Sequence, residues 1–322
     1  MSNSRISVVV TTCFRDLFLA ECLASLAAQS LALHEVVVVD DGGSGTARHV
    51  VEQFGPRFHY LWQPNSGMQN ARNHGARAST GDWTAFLDDD DLWLPQRHAL
   101  IAELISTGKV DLISGDFIKF AEGYLAPCGV FNEIGQQSPG FWAGISRQPE
   151  AVHCVIGSFP TTRLLPVHPF WPSTLVIRND LFKRLNGWNE SLKGIKAEDI
   201  EFVFRAIRIA QLGLIWPPTL HYRIHAGNDS GSALSISLGR THVWETLLVD
   251  PNTLEEEKEA LVNAVNHSLH EIVFTAFSVK NYKIVMLTSK KINKLNLSTA
   301  EKLKVFISRL LVNTGVYKWF NY

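Results

Sequence analysis

Apolar positions along the chain fall into short buried-looking runs separated by stretches of helical spacing. Ile6 to Thr11 is a β-branched run, the pattern of a strand covered on both faces. From Asp16 onward Leu19, Leu23 and Leu26 recur at helical spacing, which predicts a helix with one core-facing side. Glu35 to Val39, Phe58 to Trp62 and Trp83 to Leu87 read as three further strands. Asn70 to Ala78 and Pro95 to Ser106 read as helices, the first broken by Thr80-Gly81. Strand and helix alternate with short loops, which predicts a doubly wound, mostly parallel α/β sheet of Rossmann-like kind.

Two of these strands run into carboxylates. One ends in Asp40-Asp41-Gly42-Gly43-Ser44-Gly45, and another climbs to Asp88-Asp89-Asp90-Asp91 before Trp93 and Pro95 cut it. In an open parallel sheet the carboxyl ends lie along one edge, where ligands bind, so the two acidic groups can serve one ligand. Four adjacent like charges repel unless water or a cation lies among them. A solvated acidic turn is the plain reading of such a run, and Asp-Gly-Gly-Ser is by itself good turn chemistry. Placed at a strand end, the run also suits a hard divalent cation, magnesium or manganese, that takes one or two carboxylates plus substrate phosphates. The glycines follow the second strand and lack GxGxxG spacing, which argues against a dinucleotide fingerprint.

Beyond residue 122 the texture changes. Residues 123–172 hold seven of the thirteen prolines and six glycines, a loop-rich stretch of the kind that binds substrate in compact enzymes. Ser173 to Arg178 reads as a strand, Asn179 to Leu185 as a short helix, Gly187-Trp188-Asn189-Glu190 as a turn. Ala197-Glu198-Asp199-Ile200-Glu201 opens a helix running to about Leu212, and acids in a first turn complement the helix dipole. After Pro217-Pro218, His225 precedes the small polar run Gly227 to Ser232, a setting that suits a phosphate or metal contact. From about Leu234 the pattern is helical. Leu303, Phe306, Ile307, Leu310 and Leu311 form one apolar face. Between Lys280 and Tyr322 nine Lys/Arg stand against one acid, Glu301. Such a tail either packs its apolar face on the rest of the protein or lies on an anionic membrane.

Composition adds limits rather than identity. The 322 residues, 46% hydrophobic, suffice for one large domain or two. A net charge of -1 argues against general nucleic-acid binding. Four cysteines without a CxxC pair suggest reduced thiols in a cytoplasmic protein, and no signal peptide or membrane span is expected.

Taken in order, the motifs resemble the family-2 glycosyltransferases. They are Val8-Val9-Val10-Thr11, Val38-Val39-Asp40-Asp41-Gly42, Asn65-Ser66-Gly67 leading to Ala71-Arg72-Asn73-His74-Gly75, Phe86-Leu87-Asp88-Asp89-Asp90-Asp91, Gly187-Trp188-Asn189-Glu190 and Glu198-Asp199. The resemblance covers roughly residues 5 to 230. It implies the A-type glycosyltransferase fold, a nucleotide-diphosphate sugar donor (UDP-sugar favoured), a divalent metal, and inverting transfer to a hydroxyl of a glycan or lipid-linked acceptor in cell-surface polysaccharide synthesis. By position it gives Thr11, Asp41 and Arg72 to the nucleotide, and Asp88 and Asp89 to the ribose or sugar. Asp90 would be the direct metal ligand of an Asp88-x-Asp90 unit, with His225 a second ligand, and Asp199 the catalytic base. Cys13 and Phe14 stand where the family often has an aromatic and then Asn. The expected organisation is a nucleotide-sugar half over residues 1–115, an acceptor half over 116–232 and a helical extension over 233–322. The expected place is the cytoplasm, peripheral on the inner face of the membrane if the basic tail docks there. Two other readings compete. A non-catalytic nucleotide-sugar-binding relative would be expected to have lost its carboxylates, which this chain keeps. A sugar nucleotidyltransferase would carry a glycine-rich basic loop after the first strand, where Thr11-Thr12-Cys13-Phe14-Arg15 has no glycine.

Overall fold

The structure is a computed structural model describing residues 4–145, 151–227, 231–293 and 296–314. Asn228 to Ser230 of the polar run, Lys294 and Lys318 lie outside them. The strands are β1 (Ile6–Thr12), β2 (Glu35–Asp41), β3 (Phe58–Gln63), β4 (Trp83–Asp88), β5 (Leu92–Trp93), β6 (Leu112–Ala121), β7 (Tyr124–Leu125), β8 (His153–Ile156), β9 (Val176–Arg178) and β10 (Leu212–Arg223). The helices are α1 (Asp16–Ala27), α2 (Ala47–Glu52), α3 (Met68–Ala78), α4 (Arg97–Ser106), α5 (Val130–Gln137), α6 (Asn179–Arg184), α7 (Asp199–Ile209), α8 (Ala233–Val249), α9 (Glu255–Ser278), α10 (Tyr282–Lys291) and α11 (Thr299–Thr314). Sheet order is β3-β2-β1-β4-β9-β6-β10-β5, with β7 on β6 and β8 on β10.

β3, β2, β1 and β4 are mutually parallel, and β6 pairs parallel with β10. β9 runs antiparallel to both β4 and β6, so the six long strands all point one way. This is the expected mostly parallel α/β architecture, with helices following in the C-terminal part. Every residue of β1 and β2 is buried, as a strand covered on both faces requires. Thr11 stands beside Asp88 and Thr12 beside Asp40, so the ends of β1, β2 and β4 meet at one edge.

The departures from expectation have local causes. The helix opened at Asp199 stops at Ile209, and Leu212 instead begins β10, whose apolar start is ambiguous between helix and strand. Pro217-Pro218 sits inside that strand because the register with β6 shifts between Ile215 and Leu220, an irregularity that excuses the missing donors. The Ser173 to Arg178 segment starts as a 3₁₀ turn over Pro172–Thr174 and becomes a strand only at Val176. The loop-rich stretch also contains α5 and β8.

By internal contacts the chain forms two compact units, residues 1–194 with 202–227, and residues 195–201 with 228–322. In the second unit a cluster of Leu234, Leu269, Ile272, Val273, Ala276, Val285, Ile292 and Leu297 binds α8, α9, α10 and the segment leading into α11 together. Glu301 is buried there, accepting from Ser298 N and Oγ at 2.7 Å each and facing His270 Nδ1 at 2.5 Å. The apolar stripe of α11 is only partly covered: Leu303, Phe306 and Leu310 are 58%, 59% and 49% exposed, Ile307 and Leu311 are half-buried, and Glu301 and Ser308 are the buried residues of that helix. At Gly239 of α8 an added Cβ would lie 2.1 Å from the carbonyl oxygen of Lys196, so the helix rests directly on the backbone of the 195–201 segment.

In the first unit, α3 lies close on the sheet through small residues. A Cβ at Gly75 would stand 2.3 Å from Val9 Cγ1 and 3.1 Å from Val39 Cγ2. Gly75→Ala should therefore lower stability by about 1–3 kcal/mol through overpacking, measured by urea unfolding. An unchanged midpoint with unchanged slope would mean that helix and sheet have slack at this point.

Candidate active site

The four carboxylates at the end of β4 each meet a hydrogen-bond donor, and Asp89 and Asp90 share one of theirs. Asp88 Oδ1 accepts from Arg72 Nη2 at 2.8 Å. Asp89 Oδ2 accepts from Thr12 Oγ1 at 2.6 Å, and its Oδ1 lies 3.2 Å from Arg15 Nη1. Asp90 Oδ2 accepts from the same Arg15 Nη1 at 2.8 Å and faces His225 Nε2 at 3.0 Å. Asp91 turns inward, fully buried, and takes the backbone N–H of Arg223 at 3.1 Å. Arg223 Nε donates to the Asp90 carbonyl at 2.9 Å, and its guanidinium also pairs with Glu21. The end of β10 is thus fastened to the acidic turn, which is what brings His225 to Asp90.

Beneath this edge lies a second tier. Arg72 is only 2% exposed, its guanidinium 4.8 Å from the ring centre of Trp188. Trp188 stacks on Phe202 at 4.0 Å and meets Phe86 edge-on at 5.3 Å. Asn73 binds Trp188 through its backbone, accepting from the N–H at 2.8 Å and donating to the carbonyl at 2.9 Å, and donates to Glu190 at 2.9 Å. The Ala71-Arg72-Asn73 and Gly187-Trp188-Asn189-Glu190 motifs are one structure, whose product is a pinned Asp88. Arg97, also buried, donates to Thr219 Oγ1 at 2.6 Å and the Thr174 carbonyl at 2.8 Å. Burial holds its pKa down to about 9, against the pull of Asp91.

The β2 end is a turn-building device as well as a candidate nucleotide contact. Asp40 closes the glycine turn by accepting from Gly43 N at 2.7 Å, and takes the Tyr60 hydroxyl at 2.8 Å. Asp41 accepts from Gln63 Nε2 at 2.8 Å, Ser66 N at 2.7 Å and Gly67 N at 2.9 Å, so it shapes the Asn65-Ser66-Gly67 loop. Thr11 lies next to this edge, but the hydroxyl that reaches the acidic turn is that of Thr12. Phe14, at φ 56 and 71% exposed, projects from the loop after β1. Asp199, at the start of α7, belongs to the second unit together with Glu198, which is buried, and Ala197, held at φ 60.

Sequence reading missed Thr12, Arg15, Arg97 and Arg223. Arg15 and Arg223 reach the turn from 74 or more residues away in sequence, a separation no local pattern reveals. A cavity of about 740 Å³ lies toward the start of β4, lined by Asp82, Arg178 and Lys183 among others, and it reaches the lower tier of the site only at Asn73 and Gly187. Ligands of such sheets bind at the carboxyl edge, so the carboxylate cluster is the better candidate.

Among the described residues no three of His, Cys, Asp and Glu gather as a ready-made metal cage. The donor pair of Asp90 Oδ2 and His225 Nε2 fits a hard divalent cation that keeps waters and completes its shell with substrate phosphate.

The description Glycosyl transferase family 2 matches residues 7–125, the stretch that holds β1, β2, β4 and the acidic turn. Residues 7–125 are a family-2 glycosyltransferase domain. An uncharacterized glycosyltransferase of Nostoc sp. is 33% identical over 123 residues, 35% of this chain and 38% of that protein's length. An uncharacterized glycosyltransferase of Rickettsia prowazekii is 24% identical over 324 residues, 98% of this chain and 95% of that one. Among solved structures, S. aureus TarS 1–349 in complex with UDP has a TM-score of 0.59 at 18% identity, covering 88% of this chain and 78% of that chain. A mannosyltransferase from Pyrobaculum calidifontis in complex with GDP-Man and Mn2+ has a TM-score of 0.54 at 16% identity, covering 100% and 89%. These likenesses establish the A-type glycosyltransferase fold, and the chain is a glycosyltransferase enzyme.

At the acidic turn, burial pushes the Asp89 carboxyl up to about 7, with Asp90 and Asp88 adding to the rise and Thr12 and Arg15 opposing it. An unfolded Asp titrates near 3.9. The folded chain therefore holds a proton that the unfolded chain releases, and the stability this confers, full below about pH 4, is lost as pH rises to about 7. In chelator-treated protein, urea unfolding should show wild type losing about 1–3 kcal/mol more than Asp89→Asn between pH 4 and 7, the scale of a buried group left charged. Parallel pH profiles would remove Asp89 as the cause.

Proposed function

We propose that the enzyme moves a sugar from a nucleotide-diphosphate sugar, with UDP the favoured nucleotide, to a hydroxyl of a glycan or lipid-linked acceptor, with inversion, in cell-surface polysaccharide synthesis. The observation that carries this reading is the pairing of Asp90 and His225, 3.0 Å apart at the edge where Asp88 and Asp89 are also held. Asp90 and His225 would hold a magnesium or manganese ion, which when bound neutralises charge developing on the diphosphate. Complexes of the fold neighbours with UDP, UDP-GlcNAc, and GDP-Man with Mn2+ support a nucleotide-sugar donor and a divalent metal.

The chain's own groups divide the work. Asp88, fixed by Arg72, and Asp89, fixed by Thr12, would orient ribose or sugar hydroxyls. Asp41 and Thr11 would contact the nucleoside, and Arg72 acts through Asp88 rather than by direct reach. Asp199 would take the acceptor hydroxyl's proton as the nucleophile attacks, and a base is needed because a hydroxyl is a poor nucleophile near neutral pH. In a donor screen that follows nucleoside diphosphate release with and without Mn2+, wild type should turn over only with metal, and Asp90→Ala should be inactive. Asp199→Asn should bind donor normally and lose at least about 10²-fold in turnover, along with the low-pH limb of its rate profile. If Glu198→Gln loses turnover instead, the base moves by one residue. If both variants turn over normally, it lies elsewhere.

The basic tail suits an acceptor presented at a lipid surface. The exposed face of Leu303, Phe306 and Leu310 is flanked by exposed Lys302 and Arg309, and the stretch's one acid, Glu301, is buried and already bonded. That combination fits the anionic inner face of a membrane, with the enzyme cytoplasmic. No described helix is long and apolar enough to cross a membrane, and the four cysteines are free. Co-sedimentation with anionic vesicles should fall as salt rises, and further with Phe306→Asp. Equal partitioning to neutral vesicles, or none to either, would overturn membrane docking.

A further inference from the structure

Arg15 occupies the middle of the acidic turn. Its Nη1 donates to Asp90 Oδ2 at 2.8 Å and lies 3.2 Å from Asp89 Oδ1, and its Nη2 donates to the Gly227 carbonyl at 2.9 Å. The oxygen it holds, Asp90 Oδ2, is the one that also faces His225 Nε2. Gly227 in turn donates its N–H to His225 Nδ1 at 3.1 Å. With Nδ1 accepting, the proton of a neutral imidazole is assigned to Nε2, where it faces Asp90 and leaves that nitrogen no lone pair for a metal. One guanidinium and one imidazole thus take up the donor atoms that a metal would use, and both are tied to the same glycine.

We propose that Arg15 is an internal cation of the metal site, that a divalent metal must displace it, and that the released guanidinium pairs with the donor's diphosphate. This rests on the metal-dependent reading given above. A guanidinium left on Asp90 beside a divalent ion would repel it at close range, in a partly buried place where screening is weak. Arg15 immediately precedes α1 and its side chain is half-buried, so once its carboxylates are taken another anion within its reach would hold it in place. A diphosphate, which a guanidinium grips through two parallel hydrogen bonds, is the anion that arrives with the metal. Displacement also frees the Gly227 carbonyl, and a switch of the His225 proton to Nδ1 would free the Gly227 N–H. Metal binding would then release two of the hydrogen bonds that hold Gly227. Metal alone should bind weakly for this reason, and metal with nucleotide should bind cooperatively.

The test is a titration of the full chain with Mn2+, free ion being read by electron paramagnetic resonance, followed by calorimetry with UDP at saturating Mn2+. Arg15→Gln, which keeps polarity and removes charge, should bind Mn2+ alone at least about tenfold tighter than wild type and bind UDP with Mn2+ about tenfold weaker. Arg15→Lys should bind Mn2+ alone as wild type does, which separates charge from disturbance of the loop. Equal or weaker Mn2+ binding by Arg15→Gln overturns the displacement. Tighter Mn2+ binding with unchanged UDP affinity overturns the diphosphate contact. If neither wild type nor Arg15→Gln binds Mn2+, the metal-dependent reading fails and this inference falls with it.

Discussion

Four consecutive carboxylates can share a strand end only if each is turned toward its own donor. Here the constraint is met from four directions. Arg72 rises from α3 to Asp88, Thr12 from the end of β1 to Asp89, Arg15 from the start of α1 to Asp90, and the backbone of Arg223 from β10 to Asp91. Much of the first unit can be understood as scaffolding for those donors. The buried Trp188, backed by Phe202, stiffens Arg72, because a guanidinium stacked on a ring and bonded to a carboxylate at once has little freedom left. Removing Arg15 would thin the partners of Asp89 and Asp90 together, while Thr12 and His225 would still face them, so the cluster is held by overlapping donors.

The parts of this arrangement that were legible in sequence are those written in local pattern. The buried runs of β1, β2 and β4 have a period and a length that leave little choice, and the parallel rule then places their ends on one edge. β6 and the greater part of β10 were not legible. β10 carries two prolines mid-strand, permitted only by a register shift that belongs to the sheet and not to the segment. The site divides in the same way. Asp88 to Asp91 announce themselves as a run, whereas Arg15 and Arg223 are ordinary arginines until the fold closes. Asp41 was legible as a strand-end carboxylate, but its work in ordering the Asn65 to Gly67 loop depends on partners more than twenty residues on. The helical spacing of Leu303, Phe306 and Leu310 was read correctly as a stripe. Spacing alone does not say whether a stripe faces inward, and here Ser308 and Glu301 face inward in its place.

The contact between Gly239 and the backbone of Lys196 has a consequence for how the enzyme comes apart. Asp199 folds with the C-terminal helices, while the carboxylates of β4 fold with the sheet. Proteins open in cooperative pieces of unequal stability, and a piece whose core is a handful of aliphatic residues opens more readily than an all-buried parallel sheet. A side chain at Gly239 would therefore unsettle the 195–201 segment and the helices folded with it before it touched the sheet. The segment that carries Asp199 and the strand end that carries Asp88 to Asp91 thus belong to separate compact units of one chain, so a change in the core of one leaves the core of the other intact.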